Sequence, residues 1–234
     1  MCFCLCGFGW ACTGCYSCNG LFTDNNDDGK KDNRLYTDYF EYYVLLSEVT
    51  ITNNTEKALE NDYLVIPDEI DGYPVTRIQF LGLGYHEDKT TQTYVHSINK
   101  VFVSKNVKLF TQSLMSQRST KFIVMSKEAP QNNNPYVNFY FSMYHDKFYQ
   151  RGEIANISYL YNFQEAPNEN VYFVDDLEEN EAFSYIPEEP IRDGYIFTGW
   201  YLDGACMEQA NLEEYIYKED YGNITFYAGW EEIE

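Results

Sequence analysis

Basic residues are scarce in this chain. Lysine and arginine together number 16 against 37 aspartates and glutamates, which gives a formal net charge of −21 at pH 7. So acidic a chain repels polyanions, and we therefore expect neither nucleic acid nor an anionic lipid surface among its partners. Long apolar runs are also missing beyond the N-terminus, so the sequence predicts no internal transmembrane helix.

Histidine is equally rare, and its three copies follow no catalytic or metal-binding pattern. His86, His96 and His145 lack the H-E-x-x-H and H-x-H spacings. His86 and His96 share one polar segment, where surface loop positions are the preferred interpretation and a metal pair is the alternative. No nucleophile elbow, phosphate-binding loop or dinucleotide-binding glycine series occurs either. We therefore expect a protein without enzymatic activity, catalytic residues, bound metal or cofactor.

Cysteine is absent between Cys18 and Cys206. With no partner in its part of the chain, Cys206 is interpreted as a small, partly buried packing residue and not as a nucleophile. Carboxylates are abundant, but a glycosidase needs two of them facing each other across a cleft, which spacing alone does not show. Adjacent acidic residues such as Asp175 and Asp176 are therefore interpreted as a solvated face.

Aromatic residues are plentiful. They make up 18% of the chain, and 23 of them are tyrosines. Aromatic side chains favour half-buried β-sheet, so the composition predicts a mainly β fold. With 234 residues, the chain can hold one large domain or two small ones, each with its own core.

The N-terminus contains six of the seven cysteines, at Cys2, Cys4, Cys6, Cys12, Cys15 and Cys18. Short apolar residues between them are typical of a secretory leader, so residues 1–22 are predicted to be a signal or lipoprotein leader. Thr13-Gly14-Cys15 resembles the end of a bacterial lipobox, which implies lipidation of Cys15. The alternative is an iron–sulfur site, because Cys12, Cys15 and Cys18 match the opening spacing of that motif. Phe22 stands where the fourth cysteine is required, which favours the leader.

Residues 23–34 are polar and lack apolar periodicity, so they are predicted to be a solvated linker. The alternative is calcium binding, because Asp24-x-Asn26-x-Asp28-Gly29 fits the first half of an EF-hand loop. Leu35 stands where that loop needs a bidentate glutamate, which favours the linker.

Residues 35–130 contain internal repetition. Lys100–Lys105 (KVFVSK) and Lys121–Ser126 (KFIVMS) begin 21 residues apart, within the leucine-rich-repeat period of roughly 20–29 residues. Leu64–Ile78 (LVIPDEIDGYPVTRI) resembles the BspA-type (Treponema-type) leucine-rich repeat. The resemblance implies a short parallel solenoid in which each repeat adds one strand. Tyr36–Glu48 is a candidate N-terminal cap of that solenoid.

A polar insertion, residues 82–97, interrupts these repeats. Recognition residues commonly lie on loops that a rigid scaffold carries. The candidate ligand-binding residues are therefore Tyr85, His86, Tyr94 and His96.

Residues 131–152 are a turn-rich connector that we expect few contacts to cross, and residues 153–234 form the last domain. Pro190–Asp203 (PIRDGYIFTGWYLD) and Asn223–Trp230 (NITFYAGW) resemble the Listeria–Bacteroides repeat of the internalin B type. The resemblance implies a small β-grasp (ubiquitin-like) domain with one short helix. Gln209–Lys218 has apolar residues at helical spacing and is the candidate for that helix.

A β-bulge is predicted at Gly199. Regular alternation from Tyr195 would place Phe197 and Trp200 on opposite faces of the strand. A domain this small needs both aromatic side chains in its core. One extra residue at Gly199 brings them to the same face, and glycine accepts the positive φ of a bulge.

Together these features predict a mainly β chain, a short parallel leucine-rich-repeat solenoid followed by a β-grasp domain. The two resembled families imply a non-catalytic binding or adhesion protein of a bacterium, extracellular and anchored to the cell surface by its lipid alone. Its expected ligand is an extracellular protein or glycan. The alternative is an accessory ligand-binding module of a secreted or cell-wall- or glycan-degrading enzyme system. The sequence leaves the ligand and the oligomeric state open.

The leader interpretation predicts a mature protein that starts at a lipidated Cys15. In a bacterial host that processes lipoproteins, mass spectrometry should find a diacylated N-terminal cysteine in the wild-type chain. Cys15→Ser should abolish this processing, whereas the control Cys18→Ser should be processed normally. An intact, soluble chain that retains Met1 would exclude lipidation.

Overall fold

The computed structural model describes residues 34–79, 81–82, 85–88, 93–96, 98–111, 120–132, 137–145 and 152–233, with the backbone alone for 85–88 and 93–96. The predicted leader, Cys15 and linker residues 23–33 lie outside the described residues. The described part of the chain is mainly β, as predicted.

The described residues form eighteen strands. In chain order they are β1 Leu35–Tyr36, β2 Phe40–Leu45, β3 Glu48–Asn54, β4 Tyr63–Val65, β5 Glu69–Ile70, β6 Tyr73–Ile78, β7 Tyr85–Asp88, β8 Thr93–His96, β9 Lys100–Val103, β10 Leu109–Phe110, β11 Lys121–Val124, β12 Gln131–Asn132, β13 Phe139–Phe141, β14 Gly152–Ile154, β15 Ile157–Leu160, β16 Val171–Asp175, β17 Tyr195–Tyr201 and β18 Ile224–Glu232.

Two parallel ladders form the N-terminal part. One ladder pairs β4, β9, β11, β13 and β14 in that order, and the other pairs β3, β6, β10 and β12. From β3 to β13 the chain passes alternately between the two ladders. We call residues 34–154 the coil, a name that refers to this winding of the chain and not to irregular structure. Lys100 pairs with Lys121 and the next three residues stay in register, so the 21-residue repetition in the sequence is one turn of the coil.

The side chains on the two faces of the first ladder are buried in two different cores. In β9, Val101 and Val103 are buried between the two ladders. Phe102, on the opposite face, is buried in a second core that includes the C-terminal residues. Parallel sheets are usually covered on both faces, which is why such strands are apolar without polar alternation.

An antiparallel hairpin covers the N-terminal end of the second ladder. Strands β2 and β3 pair with each other, and β3 then pairs in parallel with β6. The candidate cap, Tyr36–Glu48, thus contains β2 and the turn that leads into β3, at the end of the ladder. At the opposite end of the first ladder, β13 and β14 continue the parallel pairing to Ile154.

The C-terminal sheet, residues 155–233, has the strand order β16-β15-β18-β17. Strands β15 and β16 form an antiparallel pair, and β17 pairs antiparallel with β18. The first and last strands, β15 and β18, run parallel in the middle of the sheet. Tyr159 and Phe226, from these two strands, are fully buried in its core.

The predicted bulge at Gly199 is confirmed. The pairing of β17 with β18 shifts between Phe197 and Gly199, and Gly199 has a φ of +131°. The rings of Phe197 and Trp200 therefore meet edge to face, with centroids 5.3 Å apart. Trp200 is 6% exposed and lies in register with Ala228 of β18.

The predicted helix over Gln209–Lys218 is wrong, because the described residues form no α-helix. The segment holds only a 3-10 turn at Leu212–Glu214. Gln209 bridges to Tyr201 and Ile216 bridges to Ala182, so backbone pairing with neighbouring segments replaces the helical hydrogen bonds.

Among the described residues no helix is long and apolar enough to cross a membrane.

The bulge makes Trp200 a sensitive position for stability. Trp200→Ala should lower the free energy of unfolding by about 3–5 kcal/mol, because it removes a large buried aromatic side chain. Ile196→Ala, on the same strand, should change it by less than about 0.5 kcal/mol, because Ile196 is 55% exposed. Denaturant unfolding measures both values. A similar small change for the two variants would contradict the role of the bulge.

Candidate functional site

The candidate binding residues lie on a separate hairpin. Strands β7 and β8 pair only with each other and belong to neither ladder among the described residues. They lie in the chain between β6 of one ladder and β9 of the other. The described strands of the insertion therefore form a separate two-stranded unit, β7 and β8, which we call the insertion hairpin.

The register of this hairpin separates the four candidate residues. Tyr85 is opposite His96, and Glu87 is opposite Tyr94. Because opposite residues share a face and neighbours alternate, Tyr85, Tyr94 and His96 are assigned to one face. His86 is opposite Val95 and belongs to the other face. The register thus places the two histidines on different faces, which does not favour the metal pair.

The second chemically distinctive region is the junction between the coil and the C-terminal sheet. Aromatic rings from both sides form its apolar part: Phe102 lies 4.9 Å from Phe173 between ring centroids, and Tyr63 lies 5.4 Å from Tyr185. Ile123 of the coil is buried in the same core. The expectation that few contacts connect the coil with the C-terminal domain is therefore wrong, because one face of the ladder is covered by that domain.

Two lysines of the coil enter this junction. Lys100 Nζ lies 3.2 Å from Asp175 Oδ1 and 2.7 Å from Glu181 Oε1. Lys121 Nζ, one turn further along the coil, lies 2.8 Å from Asp176 Oδ2. Because Lys100 and Lys121 pair across the ladder, consecutive turns of the coil meet consecutive aspartates at the end of β16.

Burial differs sharply between the two ion pairs. The side chains of Lys100 and Asp175 are 5% and 0% exposed, whereas those of Lys121 and Asp176 are 19% and 15% exposed. The interpretation of Asp175 and Asp176 as a solvated face is therefore wrong for Asp175. Burial raises the pKa of Asp175 to about 6, although the Lys100 ammonium acts in the opposite direction.

A cleft of about 460 Å³ opens beside the second ion pair. Its lining combines one coil residue with the C-terminal sheet, namely Lys121, Asn156, Asp176, Leu177, Glu178, Glu179, Tyr217 and Glu219. Several of these charged side chains already have partners within the protein. Lys121 also lies 3.4 Å from Glu178, and Glu179 accepts a hydrogen bond from the Glu219 amide. The described residues contain no cluster of three or more metal-ligating side chains.

Cys206 and His145 belong neither to the hairpin of β7 and β8 nor to the ion-pair cluster of the junction. Cys206 is a free thiol at intermediate exposure, and Asn162 Nδ2 lies 3.4 Å from its sulfur. Burial, with the nearby Asp203 carboxylate, raises the pKa of the thiol, so it is not an activated nucleophile. His145 is buried, with 2% exposure, in the connection between β13 and β14.

Sequence reasoning missed the junction cluster of Lys100, Asp175 and Glu181. A signal was present, because each repeated strand begins with lysine followed by three apolar residues. Lysine at the start of a strand that is otherwise buried indicates a paired charge. Its carboxylate partner comes from 75 residues further along the chain, 175 minus 100, and no local pattern identifies it.

Comparison with protein families finds one match. Residues 161–229 match the Listeria-Bacteroides repeat domain. This range contains β16, β17, most of β18 and the bulge at Gly199. Such repeat domains are often extracellular and surface-associated, which agrees with a non-catalytic surface module. Neither the curated proteins nor the solved structures contain a match to this chain.

The buried ion pair is expected to behave differently from an exposed one. Lys100→Met should lower the free energy of unfolding by about 3–5 kcal/mol, because it leaves Asp175 buried without its cation. Adding Asp175→Leu should recover much of this loss, because the unpaired charge is then removed. Lys57→Met, which breaks the exposed pair with Asp38, should leave the thermal midpoint unchanged. A small change in the free energy of unfolding for Lys100→Met would show that the ion pair is not required for stability.

Proposed function

We propose that this protein is a non-catalytic binding module displayed on a bacterial cell surface, where it recognises an extracellular protein or glycan through the insertion hairpin. The observation that carries the proposal is the hairpin itself: two strands outside both ladders, with two tyrosines and a histidine assigned to one face. Tyrosine is enriched at recognition sites because it combines apolar contact with a hydroxyl group.

The coil supplies the scaffold that such a hairpin needs. Residues on both sides of the insertion are fixed, since Ile78 and Ile98 are fully buried in the coil core. Anchoring both ends of a binding segment in a packed core lowers the entropy cost of ordering it on binding. Binding loops carried on rigid scaffolds follow the same principle.

The two folds that we propose are a BspA-type leucine-rich-repeat solenoid and a β-grasp domain. The alternation between two parallel ladders and the resemblance of Leu64–Ile78 support the first. The parallel central strands β15 and β18, flanked by β16 and β17, support the second. Its core forms without the expected helix, because bridges of Gln209 and Ile216 take that place.

Surface attachment rests on the N-terminal sequence. We propose that residues 1–22 direct secretion and that a lipid on Cys15 anchors the chain, with no other membrane contact. The match of residues 161–229 to a repeat domain that is often extracellular supports this location. The alternative, an accessory module of a secreted or cell-wall- or glycan-degrading system, draws on the same match.

The decisive experiment tests binding by the full chain on immobilised matrix proteins, on a glycan array and on insoluble cell-wall polysaccharide. The triple variant Tyr85→Ser, Tyr94→Ser, His96→Ser should bind at least about tenfold more weakly, because two aromatic anchors are removed. The matched control, His86→Ser with Val95→Ser, changes the opposite face and should keep wild-type affinity. Circular dichroism melts verify that both variants remain folded.

The outcomes separate the two functions. Hairpin-dependent binding to a matrix protein or to a defined glycan supports the surface-recognition function. Hairpin-independent retention on wall polysaccharide favours the accessory module. Failure to bind any panel, or an equal loss in the triple variant and its control, would overturn the assignment of the recognition face.

A further inference from the structure

Four ionisable side chains from separate parts of the chain meet inside the junction. Lys100 comes from β9 of the coil, Tyr159 from β15, Asp175 from the end of β16 and Glu181 from the segment that follows. Lys100 Nζ contacts Asp175 Oδ1 and Glu181 Oε1 at 3.2 and 2.7 Å. Asp175 and Tyr159 are both fully buried.

The Asp175 carboxylate is only partly satisfied. Its Oδ1 accepts a hydrogen bond of 2.7 Å from the backbone amide of Asp176 and contacts Lys100. Its Oδ2 is buried and has no hydrogen-bond partner among the described residues, and the Tyr159 hydroxyl is in the same condition. An unsatisfied carboxylate oxygen is costly in a buried site, and binding a proton there removes the charge.

The groups that face Asp175 have opposite electrostatic effects. Lys100 favours the ionised carboxylate, whereas Glu181 disfavours it. Asp176 contributes its backbone amide, while its carboxylate pairs with Lys121. Tyr159 stays neutral, because burial raises the pKa of its hydroxyl well above the ordinary value.

We propose that this cluster is a proton-operated latch between the coil and the C-terminal sheet: Asp175 takes up one proton on mild acidification, and the folded chain becomes more stable as it does so. Protonation does not leave the buried ammonium without a partner, because Lys100 keeps its contact with Glu181. Glu181 is the more solvated of the two carboxylate partners, since its side chain is 28% exposed whereas that of Asp175 is 0% exposed.

The direction of the pH effect follows from linkage. The pKa of Asp175 is about 6 in the folded protein, above the value of about 3.9 for an unfolded aspartate. The folded state therefore binds this proton more tightly than the unfolded state does. The stability that Asp175 contributes is complete below about pH 3.9 and is lost as the pH rises through about 6. From pH 7 to pH 5 this group alone should raise the folding equilibrium constant about tenfold.

The test follows the carboxyl carbon of Asp175 by NMR in the full chain with labelled aspartate, and the signal is assigned by its loss in Asp175→Asn. The wild-type midpoint should lie near pH 6. Lys100→Met should raise the midpoint and Glu181→Gln should lower it, because the two neighbours act in opposite directions. The matched control Lys121→Met, a lysine paired with Asp176, should leave the Asp175 midpoint in place.

A second measurement checks the linkage to folding. Denaturant unfolding at pH 7 and at pH 5 should show that the folding equilibrium constant of the wild type rises about tenfold relative to that of Asp175→Asn. Comparing the two proteins removes the effect of overall charge. A midpoint near pH 4, shifts of the same sign in Lys100→Met and Glu181→Gln, or parallel pH profiles for wild type and Asp175→Asn would overturn the latch. If Lys100→Met does not fold, the Glu181→Gln midpoint and the Asp175→Asn profile still decide.

Discussion

The outer face of the first parallel ladder is the constraint on which the rest of the structure depends. Its strands alternate between two buried sets, so that Val101 and Val103 fill the coil while Phe102 faces outward. An apolar sheet face cannot stay in water without cost, and a parallel ladder has two such faces. The C-terminal sheet covers the second one. The match to a repeat domain therefore describes a unit that, in this chain, also completes the core of its neighbour.

Covering that face forces charge into the junction. Each repeated strand begins with lysine on the same side as its outward apolar residue, so closing the junction buries Lys100 along with Phe102. Desolvating an ammonium group is tolerable only with a carboxylate beside it, and the Asp175–Asp176 pair supplies one for each lysine. The same requirement explains why an acidic chain keeps aspartates where solvent is excluded. Apolar burial is the main favourable contribution to such a junction, and the two ion pairs join successive turns of the coil to successive aspartates.

In the proposed function, recognition is separated from stability. The coil and the C-terminal sheet use their aromatic residues for packing, as in the edge-to-face contact of Tyr159 with Trp200 at 4.9 Å. Among the described residues, the two strands of the insertion hairpin pair only with each other and belong to neither ladder. A hairpin outside both ladders can vary in sequence without a change in their strand pairing, and binding residues are commonly carried on such segments.

The sequence by itself determined what depends on local periodicity. The 21-residue repetition predicted the parallel pairing of Lys100–Val103 with Lys121–Val124, and the need to bury both Phe197 and Trp200 predicted the bulge at Gly199. Tertiary structure decided the rest. Gln209–Lys218 has helical spacing, yet it forms only one 3-10 turn and bridges to Tyr201 and Ala182, because those pairings and the burial of Leu212 outweigh a weak local preference. The burial of Asp175 against Lys100 was equally beyond the sequence, since a charged pair reveals its partner only when folding joins two distant strands and excludes water between them.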